Sequence, residues 1–345
     1  MNIYSILKLA SGSRVPGFVK ILGLWAMHVT GRRYTGVFLD PVLACNLRCR
    51  MCFFSDDAKR ATMHGIMDDA AFDSVAKALF PRALKLQIGC GAEPTLFNGL
   101  RRLVKRGADA GIPYISLITN GQLIADGKVN LMELAEAGLS EITLSMHGTQ
   151  PDTYEYLMPG ASYERLLKLT GIIGDVKRAC PGFKVRVNFT VNSMNVTDLA
   201  GNDFWRVWPE GVLPDIVQLR PVQKLGESKW DDFDLSPLIE KYDSTIGNVV
   251  SQCREWGITC IAPTREQIDE VATPQSGVSA LVEDLTYCYV SPTGCYKPDF
   301  DPATDNFDSY HRRKHTAWKL LKAAFTGNFS DRNRKVSKKL NYTVK

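Results

Sequence analysis

The sequence lacks several features that define other classes of protein. It has no run of about 18 apolar residues, so it does not predict a transmembrane helix. Its N-terminus lacks the basic, apolar and small-residue order of a signal peptide. Nine cysteines in 345 residues are too few for a disulfide scaffold. With 45% hydrophobic and 23% charged residues, the composition is that of a globular protein, and we expect it in the cytoplasm.

Positive charge is concentrated at the two ends of the chain. Residues 1–34 carry five Lys or Arg and no acid, and residues 310–345 carry eleven against the single Asp331. Segment 17–30 is apolar nearly all round. It predicts a helix that covers an edge of the fold beside a solvated basic surface. An open alternative is peripheral contact of both basic ends with the inner membrane surface, since two weak anchors suffice where one does not. We do not expect nucleic acid as a partner, although the basic tail keeps RNA as a third alternative.

Three of the nine cysteines stand close together in the sequence. Cys45, Cys49 and Cys52 lie within eight residues, and three such thiolates can hold one face of a cubane iron–sulfur cluster while its fourth iron has no protein ligand. Zinc takes four ligands, and no fourth Cys or His stands at zinc-knuckle spacing, the nearest His being His64. The loop predicts an iron–sulfur site, with zinc or unrelated core thiols as the alternatives.

Short β-branched runs alternate with longer segments of helical periodicity. This alternation predicts βα units around a parallel sheet. The predicted strands are 35–39, 84–89, 114–118, 141–146, 184–191 and 216–220, and the helical segments include 68–80, 100–110, 130–137 and 163–179. Ligands of such sheets bind at the carboxyl ends of the strands. We therefore expect the residues that follow each strand to form the site.

The spacing of Cys45, Cys49 and Cys52 resembles the cluster loop of the radical S-adenosylmethionine (SAM) superfamily. The resemblance implies an α/β fold with a partial (β/α)6 TIM-like barrel, a [4Fe–4S] cluster and SAM as cofactors, and a reducing partner such as flavodoxin or ferredoxin. It also implies that an electron from the cluster splits SAM into methionine and a 5′-deoxyadenosyl radical, which abstracts hydrogen from a substrate.

A second motif follows the second predicted strand. Gly91, Ala92 and Glu93 precede a proline and resemble the superfamily's Gly-Gly-Glu-Pro element, with alanine in place of the second glycine. The resemblance implies that the backbone and Glu93 bind the ammonium group of SAM, a favourable charge-assisted hydrogen bond. Taken alone, the motif is equally typical of a turn.

Further SAM contacts are predicted from position in the chain. By resemblance, Met51 stands where the family has a residue beside the adenine, and Phe53 extends that apolar wall, although core packing explains both equally well. Asn120 and Ser145 end the third and fourth strands, where the resemblance implies contacts to the ribose or carboxylate of SAM. No side chain stands out as a catalytic acid or base.

Four cysteines after the last predicted strand suggest a second cluster. Their two pairs have identical spacing, and four thiolates would ligate a second [4Fe–4S] cluster completely; they are Cys253, Cys260, Cys288 and Cys295. They resemble the auxiliary-cluster (SPASM/twitch-like) extensions of some radical SAM enzymes, although those have a denser cysteine pattern. The expected domains are an N-terminal helical arm at 1–34, a core barrel at 35–225, a C-terminal extension at 226–309 and a basic tail at 310–345.

The predicted function is a radical SAM reaction on a substrate that the sequence does not specify. Oxidation, epimerisation and modification of a peptide, a small molecule or a lipid-linked sugar are all open. The alternative is an iron–sulfur electron-transfer or regulatory protein that does not turn over SAM. Glu93 argues against that alternative, since an electron carrier has no need of an ammonium site.

Overall fold

The computed structural model describes residues 15–223, 228–268, 277–327 and 343–344. Within these residues, ten strands form one sheet. In chain order they are β1 (Thr35–Leu39), β2 (Ala83–Ile88), β3 (Ile115–Thr119), β4 (Glu141–Ser145), β5 (Lys184–Val191), β6 (Ile216–Pro221), β7 (Thr259–Ala262), β8 (Tyr287–Ser291), β9 (Gly294–Cys295) and β10 (Thr343–Val344). Their order across the sheet is β10-β7-β6-β5-β4-β3-β2-β1-β8-β9.

The strands from β7 across to β8 are all parallel, and only the two edge strands β9 and β10 run antiparallel. The six predicted strands therefore pair in sequence order, which confirms the α/β class with its parallel, partly closed barrel. The structure adds β7 beside β6 and β8 beside β1. Both come from residues 226–309, so this segment extends the core sheet at its two ends.

Helices follow the strands and cover the outer side of the sheet. They are α1 (Gly17–Val29), α2 (Asp57–Thr62), α3 (Asp69–Leu79), α4 (Leu100–Asp109), α5 (Gln122–Ala125), α6 (Leu131–Glu136), α7 (Pro151–Leu157), α8 (Tyr163–Ala179), α9 (Ser236–Glu240), α10 (Ile246–Glu255), α11 (Arg265–Ile268), α12 (Gly277–Thr286), α13 (Phe307–Arg313) and α14 (Thr316–Thr326). The sequence sets their starts. Asp68, for example, caps α3 by accepting a hydrogen bond from the Ala71 amide at 2.7 Å.

Each strand has one face toward the helices and one toward the interior of the partial barrel. In β5 the side chains of Val185, Val187 and Phe189 are fully buried against the helices. The alternate residues Arg186 and Asn188 are half-buried on the inner face. The period of two therefore separates a hydrophobic core outside the sheet from a polar lumen inside it.

A layer made of α1, α13 and α14 is joined to the sheet by one buried arginine. Arg82, only 4% exposed, donates to the carbonyl oxygen of His28 in the last turn of α1 at 2.6 Å and to that of Arg32, beyond the helix, at 2.7 Å. Its Nε donates to the Asp308 carboxylate in α13 at 2.8 Å. A single guanidinium thus holds both helices against the start of β2.

Replacement of Arg82 by Met is expected to destabilise the protein by about 3 kcal/mol, because buried carbonyl oxygens lose their donors. Urea unfolding measures this change. Arg313→Met is the matched control, because Arg313 pairs with Asp305 at the surface and its loss should cost less than about 1 kcal/mol. Equal effects of the two substitutions would contradict the role given to Arg82.

Two sequence predictions fall partly outside the described residues. The arm at 1–34 is described only from residue 15, where segment 17–30 forms α1 as predicted. Most of the basic residues of the tail lie at 328–342 and 345, which are not among the described residues. In the part of the chain that the structure describes, no helix is both long enough and apolar enough to cross a membrane.

Candidate active site

The cysteine triplet and the glycine-rich motif line one cavity at the carboxyl ends of the strands. The cavity has a volume of about 450 Å³. Its wall contains Cys45, Cys49 and Cys52 from the loop after β1, together with Gly91, Ala92 and Glu93 from the loop after β2. The two motifs are about 40 residues apart in the sequence, and parallel pairing of β1 with β2 brings them together.

Local hydrogen bonds fold the cysteine loop around its thiols. Arg48 donates from Nη1 to the carbonyl oxygens of Cys45 and Leu47, both at 2.7 Å. The Cys52 amide donates to the Cys49 carbonyl at 2.9 Å, and the Ser55 hydroxyl donates to the Cys52 carbonyl at 2.7 Å. Hydrogen bonds among its own residues therefore fix the conformation of the loop, and the three cysteines line the cavity.

The environment of the three thiols favours metal over free thiolates. Burial raises the pKa of Cys45 to about 12, raises that of Cys49 well above its usual value, and raises that of Cys52 as well. For Cys49, the neighbouring thiols add to the effect of burial. Thiolates at this place therefore need positive partners, which iron ions supply.

The donor set is the one that a cluster requires. Among the described residues, no group of three Cys, His, Asp or Glu side chains is placed to hold one metal ion. In a cubane each thiolate binds a different iron, so three thiolates need not converge on one point. Three thiols that line one cavity fit this arrangement.

Glu93 is held rigidly at the wall of the cavity. Its carboxylate is buried, and Oε1 accepts from the Thr95 amide at 3.1 Å, the Thr95 hydroxyl and the Thr119 hydroxyl at 2.6 Å. Oε2 accepts from the Asn120 amide at 2.9 Å and keeps capacity for a second donor. Burial raises the pKa of Glu93, and the hydrogen bonds oppose that rise. The carboxylate is fixed in place and gains from a cationic partner.

The turn before Glu93 requires glycine at its first position. Gly89 has a φ of +86°, and a Cβ there would lie 2.6 Å from the Ile118 carbonyl oxygen. Only glycine adopts this conformation without strain and allows the close approach to β3. The same approach brings Thr119 and Asn120 within reach of Glu93.

Asp40 accepts hydrogen bonds from the same turn, and Asp40 was not among the predicted site residues. This fully buried carboxylate accepts from the amides of Cys90 at 2.7 Å and Gly91 at 3.0 Å, and from the Tyr289 hydroxyl at 2.8 Å. It directly follows β1, so an acid at the end of a buried strand was the available signal. Asp40 positions the backbone that precedes Glu93.

Asp40→Asn is expected to weaken SAM binding about tenfold while the iron content stays unchanged, since an amide cannot accept from both backbone amides and Tyr289 together. Titration of the reconstituted protein with SAM measures the affinity. Tyr289→Phe, which removes one donor and leaves the carboxylate, should have a smaller effect. An unchanged affinity in Asp40→Asn would refute the positioning role.

The other predicted SAM contacts have different outcomes. Phe53 and Ser145 line the cavity, and Asn120 does so while its side-chain amide donates to Asn46 of the cysteine loop at 2.9 Å. Met51 does not line it. Its side chain is buried in a separate cluster, and its sulfur accepts from the Asn192 amide at 3.1 Å. The burial of its side chain agrees with the core-packing alternative, and its place beside the adenine stays a prediction. Phe54 lines the cavity with Phe53.

The four cysteines proposed for a second cluster do not lie together. Cys253 on α10 is beside Cys260 on β7, at one end of the sheet. Cys288 on β8 and Cys295 on β9 lie at the opposite end. The identical spacing of the two pairs therefore does not bring the four thiols together. All four thiols belong to or pack against the hydrophobic core, which is the ordinary role of buried cysteine.

The lumen, which is the interior of the partial barrel beside the thiols, is lined by polar side chains that were not among the predicted site residues. They occupy alternate positions of the inner strands and are Lys85, Gln87, Glu141, Thr143, Arg186, Asn188, Gln218 and Arg220. They were not predicted, because only the residues that end or follow the strands were expected to form the site. Polar residues at i and i+2 inside otherwise apolar strands are the signal that predicts a polar lumen.

Charges in the lumen are paired around Glu141. Its buried carboxylate accepts from Arg186 Nε at 3.1 Å and from the hydroxyls of Thr143, at 3.1 Å, and Tyr114. Burial lowers the pKa of Lys85 to about 8, and its ammonium donates to Gln87 at 2.9 Å. Lys85, Arg186 and Arg220 line the same cavity as the carboxylates of Glu93 and Glu141, so three basic side chains stand beside two acidic ones there.

His147 faces the cavity as a neutral imidazole. Its Nδ1 accepts from the Thr190 amide at 3.1 Å, and burial lowers its pKa to about 4 from 6.5. A neutral buried His favours folding above pH 6.5, and this contribution is lost as the pH falls toward 4.

The free energy of unfolding of the wild-type protein should therefore fall between pH 6.5 and pH 4. This fall should be about 2 kcal/mol larger than the fall in His147→Gln. Gln keeps an acceptor for the Thr190 amide and does not titrate. Urea unfolding of both proteins across this range is the measurement. Parallel curves would show that His147 does not change its protonation on unfolding.

Comparison with known proteins gives one family. Residues 40–181 match the family described as the radical SAM superfamily. The chain is 31% identical over 140 residues to a GTP 3′,8-cyclase of Peptoclostridium acidaminophilum, a match covering 40% of this chain and 42% of that protein. It is 25% identical over 226 residues to a probable GTP 3′,8-cyclase of Methanocaldococcus jannaschii, covering 64% and 70%. The chain thus spans less than half the length of the first of these relatives.

Solved structures show the same fold. The chain is similar to Streptococcus suis SuiB bound to S-adenosylmethionine, with a TM-score of 0.58 and 15% identity over 88% of this chain and 69% of SuiB. It is similar to SuiB bound to its precursor peptide SuiA with a TM-score of 0.51 and 17% identity, over 85% and 64%. At these identities the likeness is one of architecture.

Proposed function

Because this chain carries a radical SAM domain at residues 40–181, we propose that the whole protein is an enzyme that reductively cleaves SAM and abstracts hydrogen from a substrate. The observation that supports this most is the meeting of three thiols and the Gly91–Glu93 segment in one cavity. A [4Fe–4S] cluster, when bound, supplies the electron that divides SAM into methionine and a 5′-deoxyadenosyl radical.

Each part of the cavity has a role in this proposal. Cys45, Cys49 and Cys52 hold the cluster. Oε2 of Glu93 accepts a second hydrogen bond, from the ammonium group of SAM. This charge-assisted hydrogen bond offsets the cost of burying the carboxylate. Phe53 and Phe54, with ring centroids 5.0 Å apart, offer an apolar wall to the adenine, and Ser145 offers a hydroxyl to the ribose or carboxylate.

We place the substrate in the lumen of the partial barrel, beside the site proposed for SAM. Lys85, Arg186 and Arg220 bring three basic side chains to this space, and the buried Oδ1 of Asn188 has no hydrogen-bond partner among the described residues. These groups favour a substrate that carries a phosphate or carboxylate together with a hydrogen-bond donor. Among the predicted substrates, they favour an acidic small molecule, or a lipid-linked sugar whose link is a phosphate, over an uncharged peptide.

The decisive experiment is an assay of SAM cleavage. Protein purified without oxygen and reconstituted with iron and sulfide should, when reduced with dithionite, convert SAM into 5′-deoxyadenosine and methionine in equal amounts. Flavodoxin or ferredoxin should replace dithionite if either is the reducing partner. A complete cluster without 5′-deoxyadenosine would favour an electron carrier. The relatives' names make GTP the first compound to add as substrate.

A further inference from the structure

The outer face of α1 is apolar although it lies in solvent. Phe18 is 51% exposed and Val29 48%, and the exposed positions between them include Val19, Ala26 and Met27. The helix carries one lysine, Lys20, which is half-buried. Ile21 and Leu24 pack the opposite face against the core. The helix is therefore apolar on both sides, which the packing of one side does not explain.

The neighbouring helix continues this surface with aromatic and basic side chains. α14 packs along α1, and it exposes Trp318 and Phe325, 66% and 78% accessible. Lys319 and Lys322 are exposed between them. Trp318, Lys322 and Phe325 are spaced four and three residues apart, so they lie on one side of the helix.

The concentration of apolar side chains is local. Of the twelve large hydrophobic side chains that the described residues expose, six lie on these two helices. The other six are distributed over the rest of the surface, as single exposed hydrophobic residues usually are; they are Ile66, Tyr156, Leu167, Met194, Trp256 and Tyr287. This layer of exposed apolar side chains, on two helices that pack together, marks an interaction surface.

The chemistry of the layer selects a lipid surface over a protein partner. Protein interfaces are depleted in lysine, whereas helices that lie in a membrane interface combine lysine with Trp and Phe. Positive charge is concentrated in residues 1–34 and 310–345, and the rest of the chain is net negative. Among the described residues of these two segments, Lys319 and Lys322 lie exposed on α14, where an anionic surface would attract them.

We propose that the outer face of α1 and α14 binds the surface of an anionic lipid bilayer. Trp318, Phe325 and Phe18 enter the interfacial region, and Lys319 and Lys322 pair with lipid phosphates. The aromatic side chains supply the apolar contact and the lysines supply selectivity for negative charge. This inference is independent of the radical SAM chemistry, since none of these side chains lines the cavity.

Co-sedimentation of the full chain with vesicles tests the proposal. Wild-type protein should bind vesicles of equimolar phosphatidylcholine and phosphatidylglycerol, should not bind phosphatidylcholine alone, and should dissociate as salt is added. The double variant W318E/F325E should lower the bound fraction about tenfold. L167E is the matched control, because Leu167 is 42% exposed on α8, away from the layer, and it should bind like the wild type.

Two further measurements separate the outcomes. W318E/F325E should retain wild-type iron content and 5′-deoxyadenosine formation, which shows that the variant folds. The absence of wild-type binding to the anionic vesicles would overturn the proposal, and so would equal binding by W318E/F325E. A wild-type dimer that W318E/F325E dissociates, found without vesicle binding, would overturn it in favour of an interface between two copies.

Discussion

Simultaneous replacement of Cys45, Cys49 and Cys52 by Ala is expected to remove all iron from the purified protein and to abolish 5′-deoxyadenosine formation. The three thiols are the cysteines of the loop after β1, and they line the cavity together. The remaining thiols cannot assemble a second cluster, because the two C-terminal pairs lie at opposite ends of the sheet. Iron and sulfide analysis after anaerobic reconstitution measures the first effect, and chromatography of the products measures the second.

Cys90 provides the matched control for this experiment. Cys90 also lines the cavity. It belongs to the loop after β2 and therefore lies outside the triplet. Cys90→Ala should keep a full complement of iron. Retention of a cluster by the triple variant, or equal loss of iron in Cys90→Ala, would contradict the assignment of the triplet as the ligand set.

Replacement of Glu93 by Gln should lower the affinity for SAM by about 30- to 100-fold, corresponding to about 2–3 kcal/mol for a charge-assisted hydrogen bond. The substitution keeps the size of the side chain and removes its charge. It also places an amide donor against the donors that Glu93 now accepts, the hydroxyl of Thr119 and the amides of Thr95 and Asn120. Titration of the cluster-loaded variant with SAM is the measurement.

Thr95→Val separates the charge of Glu93 from its surroundings. This variant removes one hydroxyl donor to Oε1 and leaves the carboxylate in place. Its affinity for SAM should fall by less than about tenfold. If Glu93→Gln bound SAM within about twofold of the wild type at full iron content, Glu93 would hold the turn together and would not bind the ammonium.

The sequence was sufficient to predict the parallel sheet and the cluster loop because both depend on local patterns. β-branched runs define strands, and three thiols within eight residues define the loop. Cys45 and Glu93 could be placed at one edge because parallel strands share their carboxyl ends. The strands β7 and β8 were missed because they are short and follow segments without clear periodicity, and they add themselves to the two ends of the sheet.

Side-chain direction was the part that the sequence did not determine. Met51 and Phe53 are two residues apart, and only Phe53 faces the cavity, because the loop turns between them. Asp40 bonds to amides about 50 residues away in the chain, a contact that no local pattern predicts. The polar lumen was predictable in principle, since Lys85 and Gln87 alternate with buried leucine and isoleucine in β2.

Whether SAM binds directly to iron in this protein decides the whole account. Electron–nuclear double resonance of the reduced, reconstituted protein with SAM labelled with nitrogen-15 at its amino group measures this bond. We predict a hyperfine coupling between the label and the cluster that is weakened in Glu93→Gln and absent when the three loop cysteines are replaced. A fully formed cluster that shows no coupling to bound SAM would contradict the account.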